Sequence, residues 1–371
     1  MAKIAIIGDI HLNPKSINTT IKNRVVAGQK EFLRTLPEEL KNRGIDTVLF
    51  TGDVFDNRNF CTNDTMNYAI KLFGETYRDL NVHIIAGNHD MLYEDRGDVC
   101  WLNALKALPN VTTYIDTIGK IELIGKTWYM VPWVFPQDAQ KVNDWLVKLS
   151  KKPKEVHDNT VILGHFDMYG MLMEAGQTSV AGFEPSKFFG AAKHVFSGHY
   201  HCRSEVEEKG NRIIYVGSPY QLSFAHVNTD CGYYTVDDQM NIEFIENKEC
   251  PRFCDVEDDH IDNFDDLSNY FVRYYTLNTR NIDENLALKH KLEKLNPIYV
   301  KVIPYGVETG GIEAAKKLDD EEAKKILSTD SFGLASMYMD KNSEELPKLF
   351  SGVDPKEEVL RYLHEYSMKT K

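Results

Sequence analysis

Thr47-Val48-Leu49-Phe50-Thr51-Gly52-Asp53-Val54-Phe55-Asp56 is the stretch from which the fold is read. An apolar run that stops at Gly-Asp has the pattern of a buried strand delivering a carboxylate to the edge of a sheet. One such Asp is most often only the start of a strand-to-helix turn. The event recurs along this chain, however. Lys3-Ile4-Ala5-Ile6-Ile7 ends in Gly8-Asp9-Ile10-His11, and Val82-His83-Ile84-Ile85-Ala86 ends in Gly87-Asn88-His89-Asp90. Thr160-Val161-Ile162-Leu163 ends in Gly164-His165, and His194-Val195-Phe196-Ser197 ends in Gly198-His199-Tyr200-His201. Each time, Gly is followed by a side chain able to ligate a metal.

In α/β sheets, ligands gather beyond the carboxyl ends of the strands. Gly lets the backbone turn sharply there and approach a ligand closely. The donors are Asp, Asn and His, with no Cys among them. That mixture of hard oxygen and imidazole suits Mn, Fe or Zn better than a sulfur-bound structural zinc. Two ions ~3.5–4 Å apart need a shared ligand, and a carboxylate with two oxygens can bridge them. Asp53, between the other motifs in the chain, is the expected bridge. His199 and His201 are two residues apart, so an extended segment turns both to one side.

In this order the five motifs resemble those of the calcineurin-like metallophosphoesterase superfamily: D-x-H, G-D-x-x-D, G-N-H-D, G-H and G-H-x-H. Within it the chain is similar to the SbcD-type DNA double-strand-break repair nucleases. Asp56 matches their bacterial and T-even-phage form. Gly217-Ser218-Pro219 followed by Leu222-Ser223-Phe224 is similar to their segment after the last motif. The resemblance implies a four-layer α/β/β/α sandwich with a small α+β capping domain and a helical C-terminal tail. It implies one ion on Asp9, His11, Asp53 and His201, and another on Asp53, Asn88, His165 and His199. Mn²⁺ is the first choice of ion and Mg²⁺ the second. His89, beside a ligand but outside both sets, is the implied general acid, a role worth ~10²–10⁴ in rate. Asp90 is expected to orient His89, and Asp56 to position substrate or water.

At 371 residues the chain exceeds a single core. Residues 1–250 are expected to form the nuclease domain, 251–311 the capping domain and 312–371 the tail. No run approaches the ~18 apolar residues of a membrane span. Ile4 to Ile7 is too short for a signal peptide, so a cytoplasmic protein is expected (host cytoplasm if phage-encoded). Cys250-Pro-Arg-Phe-Cys254 has no matching second pair, so the six cysteines read as free thiols. The net charge of −13 argues against holding DNA by bulk positive charge. DNA affinity is therefore expected to be weak without a partner. Asp255 to Asp266 is densely acidic and reads as a solvated loop.

Arg24 to Arg43 carries Val25, Phe32, Leu33, Leu36 and Leu40 at helical spacing, with Gly44 as a stop. A second helix is expected over 62–80, capped at Thr62 or Asn63, with Met66, Ile70, Phe73 and Tyr77 on one face. Trp101, Leu102, Leu105 and Leu108 form a third stripe. These two stripes either cover the sheet or, as the resemblance implies, pack across a homodimer axis. Trp128 to Trp133 reads as a strand, Lys141 to Lys154 as a solvated helix and linker, and 166–189 as loops. Further on, Phe271–Leu277, a helix capped by Asn281 with Glu284, and Ile298–Ile303 make a β-α-β unit. Gly306 to Gly311 reads as a linker. Helices follow near Asp319–Leu327 and from Asp354-Pro355. The resemblance implies that this tail binds the coiled coil of an SbcC-type ABC ATPase.

Two functions fit. The first is a Mn-dependent DNA nuclease, double-strand exonuclease and single-strand or hairpin endonuclease, acting with that ATPase in break repair and recombination. The second is another binuclear-metal phosphodiesterase or phosphatase acting on small or protein substrates. The residues beyond 250 favour the first, because a small phosphatase needs no extra domain and tail. Gly87-Asn88-His89-Asp90 also departs from the G-N-H-E common in phosphoprotein phosphatases. A catalytically dead scaffold is disfavoured, since no ligand position is missing.

Overall fold

Continuous apolar runs make strands buried on both faces, and the amphipathic segments between them supply the covering helices. The computed structural model describes residues 2–14, 18–174, 176–276 and 282–304. The Asn281 cap, the 306–311 linker and the whole 312–371 tail lie outside the described residues. In chain order come β1 (Lys3–Ile7), α1 (Thr19–Asn42), β2 (Ile45–Phe50), α2 (Asn63–Lys71), β3 (Asn81–Ile85), β4 (Val111–Tyr114), β5 (Gly119–Leu123) and β6 (Lys126–Val131). There follow α3 (Ala139–Ser150), α4 (Lys154–Asp158), β7 (Thr160–His165), a short hairpin of β8 (Leu172–Glu174) and β9 (Gln177–Thr178), and α5 (Pro185–Ala191). Then come β10 (His194–Gly198), β11 (Ser204–Glu208), β12 (Asn211–Tyr215), β13 (Gly232–Asp237) and β14 (Ile242–Glu246). Last are β15 (Arg252–Glu257), β16 (Tyr270–Thr276), α6 (Ile282–Glu293) and β17 (Tyr299–Pro304).

One six-stranded sheet has the order β14-β13-β1-β2-β3-β4 and the other β11-β12-β10-β7-β6-β5. β1 to β4 are parallel, as are β12, β10, β7 and β6, and antiparallel pairings add the outer strands. Side chains alternate between faces. Ile4, Ile6, Leu49 and Ile85 of the first sheet meet Trp128, Leu163, Phe196 and Ile214 of the second in one buried cluster. Ala5, Ile7, Val48 and Phe50 turn the other way, onto Leu33, Leu36 and Leu40 of α1. Behind the second sheet, Ile162, Val195 and Ile213 pack with Leu146 of α3 and Phe188 of α5. The layers are helix, sheet, sheet, helix, as expected.

Several elements depart from the sequence reading. α1 starts earlier than Arg24, because Asn18 Oδ1 accepts the Ile21 N–H at 3.0 Å and caps it. α2 stops at Lys71, where a π-turn over Leu72–Thr76 follows. Beyond it Phe73 and Tyr77 lie in the core against Phe50. The stripe Met66, Ile70, Phe73, Tyr77 is therefore not a free dimer face: Phe73 and Tyr77 are fully buried and only Ile70, at 37 % exposure, is open. The span 166–189 holds the hairpin and the start of α5 rather than loops alone. β15 runs parallel to β16 through the start of the acidic run. There Asp255 accepts two hydrogen bonds of 2.7 Å from Arg273, so this part is a cross-strand ion pair rather than a solvated loop. The small sheet β15-β16-β17 has its own cluster with Leu292 of α6. Phe253 and Phe271 join it to Val25 and Val227, and the described residues up to Val302 belong to one compact unit.

Candidate metal centre

β1, β2, β3, β7 and β10 each lead into one of the five motifs, and the side chains of those motifs converge at one end of the sandwich. Asp9, His11, Asp53 and His165 are at most 1 % exposed. Asp56, Asn88, His89, His199 and His201 are half-buried. The turns are tight. His11, Asp53 and His199 have φ of 40°, 48° and 90°, a region that side chains other than Gly seldom adopt. A Cβ on Gly87 would lie 2.1 Å from Asp53 Oδ1, so only Gly fits there.

Two groups of donors share Asp53. In one, His11 Nε2 stands 2.9 Å from His201 Nε2 and 3.6 Å from Asp53 Oδ2. In the other, His165 Nε2 is 3.5 Å from Asp53 Oδ2, and Asn88 Oδ1 lies 3.0 Å from His165 Nε2 and 3.1 Å from His199 Nδ1. Donors each ~2.0–2.2 Å from a single ion stand ~3–3.5 Å apart, so these spacings fit two cations. Asp53 Oδ1 is turned to the His89 N–H at 2.8 Å, and Asp9 accepts the His199 N–H at 3.1–3.2 Å. His165 Nδ1–H donates to the Thr51 carbonyl at 2.7 Å, which turns Nε2 toward the centre.

The electrostatics also call for positive charge. Burial lifts the Asp9 carboxyl to about 6. Burial also pushes Asp53 up, but His165 and His11 outweigh it and hold Asp53 well below the carboxylate range. Burial lowers His165, yet Asp53 and Asp9 bring it to about 9. His199 is pushed down to about 4 by burial, with His165 beside it. Without metal, protons on imidazole thus stand in for a cation, and metal binding releases them.

The expected ligands lie at one end of the sandwich, but the donors close enough to share one cation are His11, Asp53 and His89 in one group and Asp53, His165 and His199 in the other; Asp9 and His201 stand outside both, and the neighbouring residues sort as follows. His89 Nδ1–H donates to the Asp56 carbonyl at 2.6 Å. His89 also lies within reach of a cation held by His11 and Asp53, so position alone does not separate an acid from a ligand. Asp90 does not orient the His89 ring. Its two oxygens accept the Phe55 and Gly87 N–H groups at 3.0 and 2.9 Å and clasp the two loops, while the His89 Nδ1–H goes to the Asp56 carbonyl instead. Burial, with Asp53 nearby, raises the Asp90 carboxyl to about 7. Asp56 stands behind His11, Oδ1 to Nδ1 3.4 Å.

Sequence reasoning missed two neighbours. His226 Nε2 lies 3.1 Å from His201 Nδ1, and Trp133 sets its ring against His199 and His165 with centroids 5.0 and 5.9 Å away. His226 follows closely on the Gly217–Phe224 segment, and Trp133 ends the strand-like run from Trp128; neither position carries a motif of its own.

The chain is 29 % identical over 252 residues to exonuclease subunit 1 of enterobacteria phage T4, covering 66 % of this chain and 68 % of the relative. It is 22 % identical over 255 residues to the DNA double-strand break repair protein Mre11 of Methanopyrus kandleri, covering 65 % of this chain and 54 % of the relative. The chain thus spans about half the length of the archaeal relative. Among solved structures, a dimetal phosphatase from Danio rerio matches with a TM-score of 0.40 at 11 % identity, over 64 % of this chain and 92 % of that one. Residues 2–203, more than half of the 371-residue chain and all five motifs, match the calcineurin-like phosphoesterase family, and the protein belongs to that family of metal-dependent phosphoesterases.

Proposed function

We propose that the protein is a Mn²⁺-dependent DNA nuclease, exonuclease on duplex ends and endonuclease on single strands and hairpins, working with an SbcC-type ABC ATPase in break repair and recombination. The observation that carries this reading is the 29 % identity over 252 residues to a chain named exonuclease subunit 1. In this reading Asp9, His11, Asp53 and His201 hold one ion, and Asp53, Asn88, His165 and His199 the other. When bound, the ions lower the pKa of a water and offset phosphodiester charge. Asp56 keeps His11 in place and its carbonyl fixes His89 Nδ1–H. That leaves His89 Nε2 facing the centre, from where the ring passes a proton to the leaving oxygen. Asp90 holds the two loops that carry Asp53 and His89.

Residues 1–250 act as the nuclease domain, 251–311 as the DNA cap and 312–371 as the ATPase-binding tail. Homodimerisation belongs to the reading by resemblance, with Ile70 as the open member of the α2 stripe. The test is cleavage of linear duplex and hairpin DNA in Mn²⁺ or Mg²⁺, with and without the ATPase. Mn²⁺-dependent release of nucleotides supports the reading. Hydrolysis of small phosphodiesters or phosphoproteins with no DNA cleavage turns it over in favour of a different phosphodiesterase or phosphatase.

A further inference from the structure

A cavity of ≈ 370 Å³ opens beside the metal centre, and His165 forms part of both. Trp133, Phe166 and Phe183 line it with rings. Trp133 is already set against His199 and His165. Phe183 is held edge-on to Phe166 and to Phe188, centroids 5.9 Å in each case, so this wall is built rather than loose. Val134, Pro136 and Ala139 extend the apolar wall, and Asn143, Asp167, Glu184 and Lys187 give it a polar edge. Lys187 Nζ donates to Asn143 Oδ1 at 2.9 Å, which leaves the Asn143 amide nitrogen to donate. Asp167 receives the hydroxyls of Ser179 and Tyr200 on one oxygen, Oδ1. Its Oδ2 remains for a further donor.

An apolar, ring-bearing cavity edged by the Asn143 and Lys187 donors and the Asp167 and Glu184 carboxylates suits a planar heterocycle that carries both carbonyl or ring-nitrogen acceptors and an exocyclic amine. We propose that this cavity receives one unstacked nucleobase of the DNA strand whose phosphate lies at the metal centre, the inference resting on the nuclease reading above. The shared His165 wall places the slot next to the phosphate site, within the reach of a single nucleotide. Stacking accepts every base, since each has a π-face. The pocket therefore selects an unpaired nucleotide rather than a sequence, and favours frayed ends, gaps and hairpin loops over intact duplex. It also gives a chain of net charge −13 a way to hold DNA that does not depend on basic surface.

The experiment uses the full chain and short single strands of one sequence, with an abasic tetrahydrofuran walked through each position. In Mn²⁺, removal of the base next to the cleaved phosphate should raise KM about 5- to 150-fold, the range of one base-stacking contact. In Phe183→Ala and in Asn143→Leu, each checked for unchanged metal content, natural and abasic strands should become nearly alike, because the two losses are one contact counted twice. A readout free of turnover comes from 2-aminopurine at that position with Ca²⁺ replacing Mn²⁺. Its fluorescence should quench on binding to wild type and recover in Phe183→Ala. Cleavage with no abasic penalty, or with the same penalty in both variants, overturns the pocket and leaves the nuclease reading standing. No DNA cleavage by the wild type in Mn²⁺ overturns both.

Discussion

Replacing Asp53 by Asn keeps the shape of the metal centre and removes one charge. Of the seven expected donors only Asp9 and Asp53 are carboxylates, so the change halves the negative charge offered to two divalent ions. It is also felt on both sides, because Asp53 Oδ2 is 3.6 Å from His11 Nε2 and 3.5 Å from His165 Nε2. Loss of a group that merely supports a ligand costs ~10–100-fold in metal affinity. Loss of a shared ligand should therefore cost each ion at least ~100-fold. At a Mn²⁺ concentration 100 times the wild-type Kd, each ion stabilises the fold by ~2.7 kcal/mol, about 5 kcal/mol for two. After a 100-fold loss the same concentration only equals the new Kd, and the stabilisation falls below ~1 kcal/mol in all. Calorimetric titration of metal-stripped protein with Mn²⁺ reads both affinities directly. Asn88→Ala is the control, since among the described residues Asn88 Oδ1 meets His165 and His199, and its loss should weaken one ion alone. If Asp53→Asn weakens one ion and leaves the other at its wild-type Kd, Asp53 does not bridge.

His89→Gln should retain both ions and DNA binding yet lose ~10²-fold or more in turnover; loss of an ion on elemental analysis would instead make His89 a ligand. His226→Ala should weaken Mn²⁺ binding ~10–100-fold, as for other partners of a ligating His, and an unchanged Kd rules that role out. Filling the centre with diamagnetic Mg²⁺ should shift the Leu222 amide resonance and speed its hydrogen exchange; a Leu222 amide indifferent to metal contradicts a coupling from His201 through His226 to Leu222. Burial, with Arg212 close by, pushes His194, only 9 % exposed, down from 6.5 to about 4. The unfolded chain thus takes up a proton below pH 6.5 that the folded chain refuses until about pH 4. Stability should fall by up to ~3 kcal/mol as pH drops through that window. Denaturant titrations of His194→Gln should show a shallower loss between those values, and a slope equal to wild type would place the burden elsewhere.

How much of this was legible in the sequence depended on whether a feature was local. The runs ending at Gly8, Gly52, Gly87, Gly164 and Gly198 carry their own signal, because a strand buried on both faces must be apolar throughout and must stop where polar groups begin. The expected ligands converge for the same reason. Asp90 was misread because sequence adjacency to His89 is not contact: its oxygens reach the amides of Gly87 and of Phe55, which is 35 residues away. The spacing of Phe73 and Tyr77 reads as a regular helix, whereas a π-turn is set by packing rather than by residue type. β15 was hidden because Asp255 and Glu257 read as solvated until Arg273 supplies a partner across the sheet. His226 was invisible because its partner is 25 residues away and its spacing belongs to no motif.

The hydrogen bonds around His226 have a direction, and that direction conflicts with metal binding. The Leu222 N–H donates to His226 Nδ1 at 3.0 Å, so the neutral ring carries its proton on Nε2. That proton points to His201 Nδ1, 3.1 Å away, which leaves His201 protonated on Nε2, facing His11 Nε2 at 2.9 Å. Burial holds both rings neutral, His226 down to about 4 and His201 well below its ordinary value. A coordinating nitrogen cannot keep its proton. If His201 Nε2 takes an ion, its proton must sit on Nδ1, and His226 must accept at Nε2 and carry its own proton on Nδ1. Two N–H groups then face each other at Leu222, and that hydrogen bond is lost. Leu222 follows Gln221, whose amide donates to the His226 carbonyl at 2.8 Å and whose carbonyl oxygen accepts the Phe253 N–H of β15 at 2.5 Å. Filling the metal centre would thereby cost the Leu222 hydrogen bond, one residue from the Gln221 side chain that ties His226 to the first strand of the small sheet.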